Sequence, residues 1–434
     1  MADLDLTGHW AGLVSLGIFL VAYVLVIFEE AVHMRKSKPV MLAAGLIWAL
    51  LGVSYVAAGQ AELLNAHARE MIEEYGELFL FLLVAITYVN TMEERRVFAV
   101  LRSWLVGRGL SYRQLYWLTG ALAFCLAGLL DNLTTALVIG AVVLALAGAE
   151  KRFAVISCVS IVVASNAGGA FSPFGNITTL MVWQKGKLEL FEFFDLFLPA
   201  LVNWVVPALL MYFALPKARP EASGGTVTAK PGALGVVVLF LATVATAAVF
   251  KNVLHLPPAM GMMLGLGYLS MFTYVLTMRG ARRHSPTMTL DGLKQVARVE
   301  WDTLLFFFGI LFAVGGLGAF GYLALASHWL YGGFGPTVAN VAVGVLSAIV
   351  DNIPLMYAVL LMDPSMSPGE WQLITLTCGV GGSLLSIGSA AGVALMGQAR
   401  GTYTFMSHMK WSWAVGVGYV ASILVQLTLN GRFF

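Results

Sequence analysis

The sequence predicts an all-α polytopic membrane protein: two inverted repeats of five crossings each, with two re-entrant hairpins and two broken helices. Three observations carry this. Of 434 residues, 59% are hydrophobic and 11% are charged, against roughly 25% charged in an ordinary soluble domain. The apolar residues form long continuous runs, not the alternating segments of roughly ten residues that build a membrane barrel. The order of features in the first half recurs in the second, the signature of an internal repeat.

Along the chain, apolar segments fall at 10–28, 40–57, 77–92, 113–130 with 134–148, 153–165 with 175–183, and 194–215. After the polar stretch PKARPEASGGTVTAKPG the series restarts at 233–250, 257–276, 302–320, 335–350 with 354–362, 371–382 with 388–397, and 409–429. The first repeat is therefore set at 1–216, the inter-repeat linker at 217–232 and the second repeat at 233–434. Pro39, Met41, Tyr55 and Val56 match Pro258, Met260, Tyr274 and Val275 at an offset of 219. Asp131-Asn132 matches Asp351-Asn352 at 220, and Gly168-Gly169 with Gly175 matches Gly381-Gly382 with Gly388 at 213.

In each repeat the fourth feature reads as a re-entrant hairpin with the Asp-Asn pair near its tip. The fifth reads as a helix broken by ASNAGGAFSPFGN or by GGSLLSIGSAAG. A hairpin returns to its own side, which leaves five crossings per repeat, and an odd number inverts the second repeat. Many secondary transporters have this layout, with their sites at the midplane. Charge supplies an independent test. Loops 29–39, 93–114, 149–152, 216–232, 278–300 and 398–410 hold 20 of the 25 Lys and Arg residues. The other five lie in 58–76, 184–193, 251–256 and the C-terminal segment. The positive-inside rule then puts the first group in the cytoplasm and both termini outside.

The acidic start MADLDLTGHW lacks the basic region and small-residue cleavage site of a signal peptide, so the first apolar run is expected to remain a transmembrane helix. RRVFAVLRSWLVGRG (95–109) reads as a basic amphipathic helix on the membrane surface. Glu77 and Asp302 are expected at helix starts, where the macrodipole favours an acid. The histidines are expected at the surface and the three cysteines in the core. There is no Walker motif, and the net charge of +2 is too small to suggest a nucleic-acid partner. The lipid bilayer is the expected partner, and no cofactor is implied.

Non-helical backbone at membrane depth needs protein or a water-filled cavity to satisfy its polar groups. The hairpin tips and helix breaks thus point to one polar site. Its candidate liners are Asp131, Asn132, Thr134 and Thr135; Ser165, Asn166, Ser172, Asn176, Thr178 and Thr179; Asp351 and Asn352; and Ser383, Ser386 and Ser389. All carry side-chain oxygen, the only formal charges are two carboxylates, and no Lys or Arg falls among them. Carboxylate, amide, hydroxyl and carbonyl oxygens suit a hard cation. An anion would more naturally recruit Arg or Lys, although helix N-termini alone can hold one, so an anion or dicarboxylate carrier stays as the alternative. Asp131 and Asp351 could also be helix caps, but a cap contributes about 1 kcal/mol and a charge at membrane depth costs roughly 2.5–3.5 or more. Asn or Ser would cap without that penalty. A membrane-embedded enzyme would need a nucleophile or metal constellation, and no His or Cys is expected beside the breaks.

The stretches LLDNLTTALV (129–138), SNAGGAFSPFGNITTLMVWQ (165–184), VDNIPLMYAV (350–359) and GGSLLSIGSAAGVALMG (381–397) make the chain similar to the NhaD-type sodium/proton antiporters of the ion transporter superfamily. The resemblance runs nearly end to end. It implies a homodimer in a bacterial inner membrane, each subunit a scaffold with a mobile transport domain. It also implies export of Na+ or Li+ in exchange for H+, with Na+ at Asp131, Asn132, Asp351 and Asn352 and protons carried by the two aspartates. The family pattern places an acidic residue in the GxITT element, where this chain has Asn176, one charge fewer.

Overall fold

The protein is described from a computed structural model covering residues 5–27, 29–148, 150–219, 227–282 and 290–434. These residues form helices and no strands, and nine of the helices are long and apolar enough to cross a membrane. The first half contains α1 (Trp10–Ile27), α2 (Ser37–Ala57), α3 (Ala61–Glu94), α4 (Val97–Val106), α5 (Tyr112–Ala127), α6 (Asn132–Ala147), α7 (Lys151–Ala170), α8 (Ile177–Gln184) and α9 (Phe197–Tyr212). The second contains α10 (Ala233–Asn252), α11 (Pro258–Arg282), α12 (Trp301–Ala319), α13 (Tyr322–Phe334), α14 (Pro336–Leu346), α15 (Asn352–Met362), α16 (Pro368–Gly381), α17 (Ala390–Gln398), α18 (Phe405–Met409) and α19 (Ser412–Leu429). Part of the inter-repeat linker, 220–226, lies outside the described residues.

The chain divides into two compact units, each drawing on both halves of the sequence. One comprises 1–83, 299–339 and 354–365. Its centre is α2 packed on α1 and α12, held where Tyr55 Oη donates to Ala319 O (2.8 Å) and Trp48 Nε1 to Phe312 O (2.9 Å). The other comprises 84–298, 340–353 and 366–434 and contains every candidate site residue. Its core is α7, sheathed by α5, α6, α9 and α16, and α17 packs on both α6 and α7. The whole stretch from Ile156 to Ala170 is buried in α7, so this helix is apolar all round rather than amphipathic.

Two expectations change. Residues 58–76 were expected as a loop, but α3 runs unbroken through them, so Glu77 stands mid-helix rather than at a helix start. The segment is rich in Ala, Glu, Leu and Met, strong helix formers, and contains no proline. A 34-residue helix is about 50 Å long, well beyond the ~30 Å of a hydrocarbon core, so a polar first half and an apolar second half fit one helix. Asp302 does lie in the first turn of α12. The second change is α13, unforeseen in sequence, which is framed by Gly321 (φ 100°) and Gly335 (φ 76°) and buries none of its residues.

Candidate functional site

Four helices begin at polar residues singled out in the sequence. Asp131 precedes α6, Asn176 precedes α8, Asp351 precedes α15 and Ser389 precedes α17. The backbone turns into α8 and α17 in nearly the same way, with φ, ψ of −149°, 149° at Asn176 and −143°, 149° at Ser389. Each follows a helix that stops six or eight residues earlier, α7 at Ala170 and α16 at Gly381.

Glycine makes both interruptions possible. A Cβ at Gly168 would collide with Phe124 O, and one at Gly381 with Gly344 O, which lies 220 residues after Phe124. Gly175 and Gly388 press in the same manner against Ala127 O and Ser347 O, again 220 apart. Backbone therefore lies directly on backbone where each helix pair α5–α6 and α14–α15 turns, a spacing no side chain would permit.

Side chains then differ between the two places. Asp131 accepts from Thr134 N through Oδ1 (2.8 Å) and from Thr134 Oγ1 through Oδ2 (2.6 Å). Asn132 Nδ2 donates to Asn166 Oδ1 (2.7 Å), and Asn166 Nδ2 donates to Ser389 Oγ (2.9 Å). That chain joins the start of α6, the middle of α7 and the start of α17. Asp351 Oδ1 accepts from Ile353 N at 3.3 Å. Asn352 contributes its carbonyl, which accepts from Cys378 Sγ (3.3 Å). Asn176 Oδ1 accepts from Thr178 N (3.3 Å), while its backbone carbonyl accepts from Thr179 Oγ1 (2.7 Å).

Four buried polar atoms of the predicted residues have no hydrogen-bond partner: Thr135 Oγ1, Thr178 Oγ1, Asn176 Nδ2 and Asn352 Nδ2. Buried polar groups are nearly always satisfied, so these four are unmet hydrogen-bonding capacity. Hydroxyls both donate and accept, and an amide turned over presents oxygen instead of nitrogen. Other predicted residues are engaged locally. Ser165 Oγ donates to Ile161 O and Ser383 Oγ to Val380 O, the usual back-bond of a membrane-helix hydroxyl. Ser172 Oγ accepts from Phe174 N, and Ser386 Oγ donates to Met396 Sδ.

Sequence reasoning excluded His and Cys from the breaks, and the structure corrects this. Cys378 bonds the Asn352 carbonyl, and His408, expected at the surface, is fully buried with Nε2 2.9 Å from Ser383 O. Chain distance hid both, since nothing in the periodicity of 398–410 tells that it folds back onto GGSLLSIG.

Apolar spanning helices, with half-buried carboxylates and unpartnered buried polar atoms at the starts of shorter ones, fit an integral membrane transport protein. A family model described as a citrate transporter matches residues 18–379. The chain is 54% identical to the Na+/H+ antiporter NhaD of Alkalimonas amylolytica, over all of this chain and 94% of that protein. It is 52% identical to NhaD of Halomonas elongata, over all of this chain and 91% of the relative. Sodium/proton antiporter 1 of Arabidopsis thaliana is 33% identical over 96% of this chain and 72% of its own length. The chain belongs to the NhaD family of Na+/H+ antiporters, a family of transporters rather than enzymes.

Proposed function

We propose that the protein is a secondary-active antiporter of the bacterial inner membrane, exporting Na+ or Li+ in exchange for H+. The observation that carries the reading is two half-buried carboxylates at helix starts, four unpartnered buried polar atoms beside the same tips and breaks, and no Lys or Arg among them. A bare carboxylate is expensive at membrane depth, so Asp131 and Asp351 each take either a proton or a metal ion. In the deprotonated state Na+ is held by Asp131, Asn132, Asp351 and Asn352, with Thr134, Thr135, Asn176, Thr178, Ser386 and Ser389 supplying neutral ligands and Asn166 and Ser165 backing them. In the protonated state the site is neutral and crosses without metal. Proton entry then drives Na+ out by alternating access.

The finer architecture belongs to the same proposal. The matching glycine contacts support two inverted repeats, with re-entrant hairpins at α5–α6 and α14–α15 and broken helices at α7–α8 and α16–α17. The charge distribution supports both termini outside, and the family supports a homodimer. The citrate-transporter description of the family model keeps one rival in play, an anion carrier held by the helix N-termini and the Asn amides. Neither device needs two aspartates.

The test is dissipation of a proton gradient in inverted membrane vesicles, with Na+, Li+, K+ or succinate added separately at pH 7 and pH 8.5. Collapse is expected with Na+ and Li+, faster at the higher pH, and absent in Asp131→Asn. A response to succinate alone, or full exchange in that variant, overturns the proposal.

A further inference from the structure

The second break is tied to a part of the chain that the transport reading has not used. His408 lies in α18, within the segment 398–410 read from sequence as a cytoplasmic loop, yet it is fully buried. Its Nε2 is 2.9 Å from Ser383 O, and its Nδ1 is 2.6 Å from Tyr403 Oη. A carbonyl only accepts, so the ring proton is on Nε2 and donates to Ser383. Nδ1 then keeps its lone pair and accepts the Tyr403 hydroxyl proton. Tyr403 is buried as well, within the apolar core that contains Cys158, Ala391, Leu395 and Ala399. Both ring nitrogens are thus saturated by neutral partners inside packed surroundings. Burial lowers the imidazole pKa to about 4, which keeps the ring uncharged across physiological pH.

The carbonyl that His408 holds is at a sensitive place. Ser383 follows directly on Gly382, the C-cap of α16, where helix carbonyls lose their intrahelical donors. From there the chain makes tight turns, Leu384 N to Gly381 O (3.0 Å) and Gly388 N to Leu385 O (3.3 Å), and passes Ser386 before Ser389. A carbonyl left loose at Ser383 would let the whole turn rotate about the end of α16. The first half carries a carboxylate, not an imidazole, at the matching position. There, 213 residues before His408, stands Asp195, and its Oδ2 accepts from Gln372 Nε2 (3.3 Å).

We propose that His408 is a positioning residue for the transported cation: by fixing the Ser383 carbonyl it sets where Ser386 and Ser389 present their oxygens. This rests on the cation reading of the site given above. It also removes one carbonyl, Ser383 O, from the set free to face the ion, leaving the turn's hydroxyls as its contribution. The role is mechanical and needs the Nε2 donor but not a titrating ring.

The experiment measures Na+ dependence of exchange at pH 8.5 in inverted vesicles for wild type, His408→Leu, His408→Gln and Tyr403→Phe. Protein amount is matched by immunoblot, and thermal unfolding of each purified variant is recorded. Gln places an amide donor near the Nε2 position; Leu fills the space without one. For His408→Leu the Na+ concentration for half-maximal exchange is expected to rise about tenfold, the usual effect of losing a group that orients a metal ligand. His408→Gln is expected within about threefold of wild type with the same pH profile, and Tyr403→Phe between the two. Half-saturation unchanged in His408→Leu overturns the inference. So does a loss confined to protein amount or maximal rate, an equal defect in Leu and Gln, or a pH profile displaced in His408→Gln. Absence of cation exchange in the wild type would instead fail the transport reading, and the wild-type arm separates the two.

Discussion

The two Asp-Asn pairs occupy matching places in the chain and are held in different ways. At Asp131 both carboxylate oxygens are taken by one residue, Thr134, through its backbone and its hydroxyl. Two hundred and twenty residues later the position of Thr134 is Pro354, which has neither an N–H nor a hydroxyl. Asp351 caps instead on Ile353 N, at 3.3 Å. The neighbouring amides diverge too. Asn132 is stitched through Asn166 to Ser389, whereas Asn352 Nδ2 is buried without a partner. The residue matching Asn166 is Gly379, which has no side chain to bridge with. Similar backbone thus frames one tightly bonded aspartate beside a bonded amide and, in the second half, an aspartate beside an unpartnered amide. On the transport reading the first Asp-Asn pair supplies a fixed wall and the second pair the groups that reorganise around the ion.

The largest effect expected from this comparison is at Asp351. Replacing it with Asn removes a charged ligand worth about 3 kcal/mol, roughly a hundredfold in affinity, and Na+-driven exchange should fall at least as far as in Asp131→Asn. Measured side by side in vesicles, a variant with near wild-type exchange would assign the ion to the first pair alone. The division into wall and moving part would then be wrong.

A smaller and more diagnostic change is Asn176→Asp. It places a carboxylate oxygen where a buried amide nitrogen now lacks a partner. On the transport reading this puts a third acid beside two others and makes the site bind protons more tightly, since like charges disfavour ionisation. The pH for half-maximal exchange should therefore move upward, by about one unit, and apparent Na+ affinity at pH 9 should rise. A downward or absent shift would place residue 176 away from the ion.

Much of this was legible in the sequence, for a physical reason. Apolar runs and glycine-rich interruptions are local, so the helices, the turns at 128–131 and 347–351, and the gaps after Ala170 and Gly381 could be read from short windows. The Asp-Asn pairs stand out because acids are rare in such surroundings. What could not be read were bonds between distant segments. Asn166 and Ser389 are 223 residues apart, and His408 reaches back 25 residues to Ser383. The continuous α3 was missed because hydropathy marks where a chain is apolar, not where it stops being helical. Pro354 was visible throughout, but its meaning depends on knowing that Thr134 occupies both oxygens of Asp131.

The smallest expected effect tests the comparison where transport plays no part. Asn caps a helix about as well as Asp, and Ala does not. Asp131→Asn should therefore keep the start of α6 intact, while Asp131→Ala loses the bond to Thr134 N and about 1 kcal/mol of stability. At Asp351 the cap is longer and reaches a different donor, so the gap between Asn and Ala there should be less than half as large. Thermal unfolding of the four purified variants reads both differences directly, in detergent and without any ion gradient. Equal gaps would mean that the bonds at Thr134 add nothing to the first cap, and that the two aspartates differ in sequence context but not in how firmly they are held.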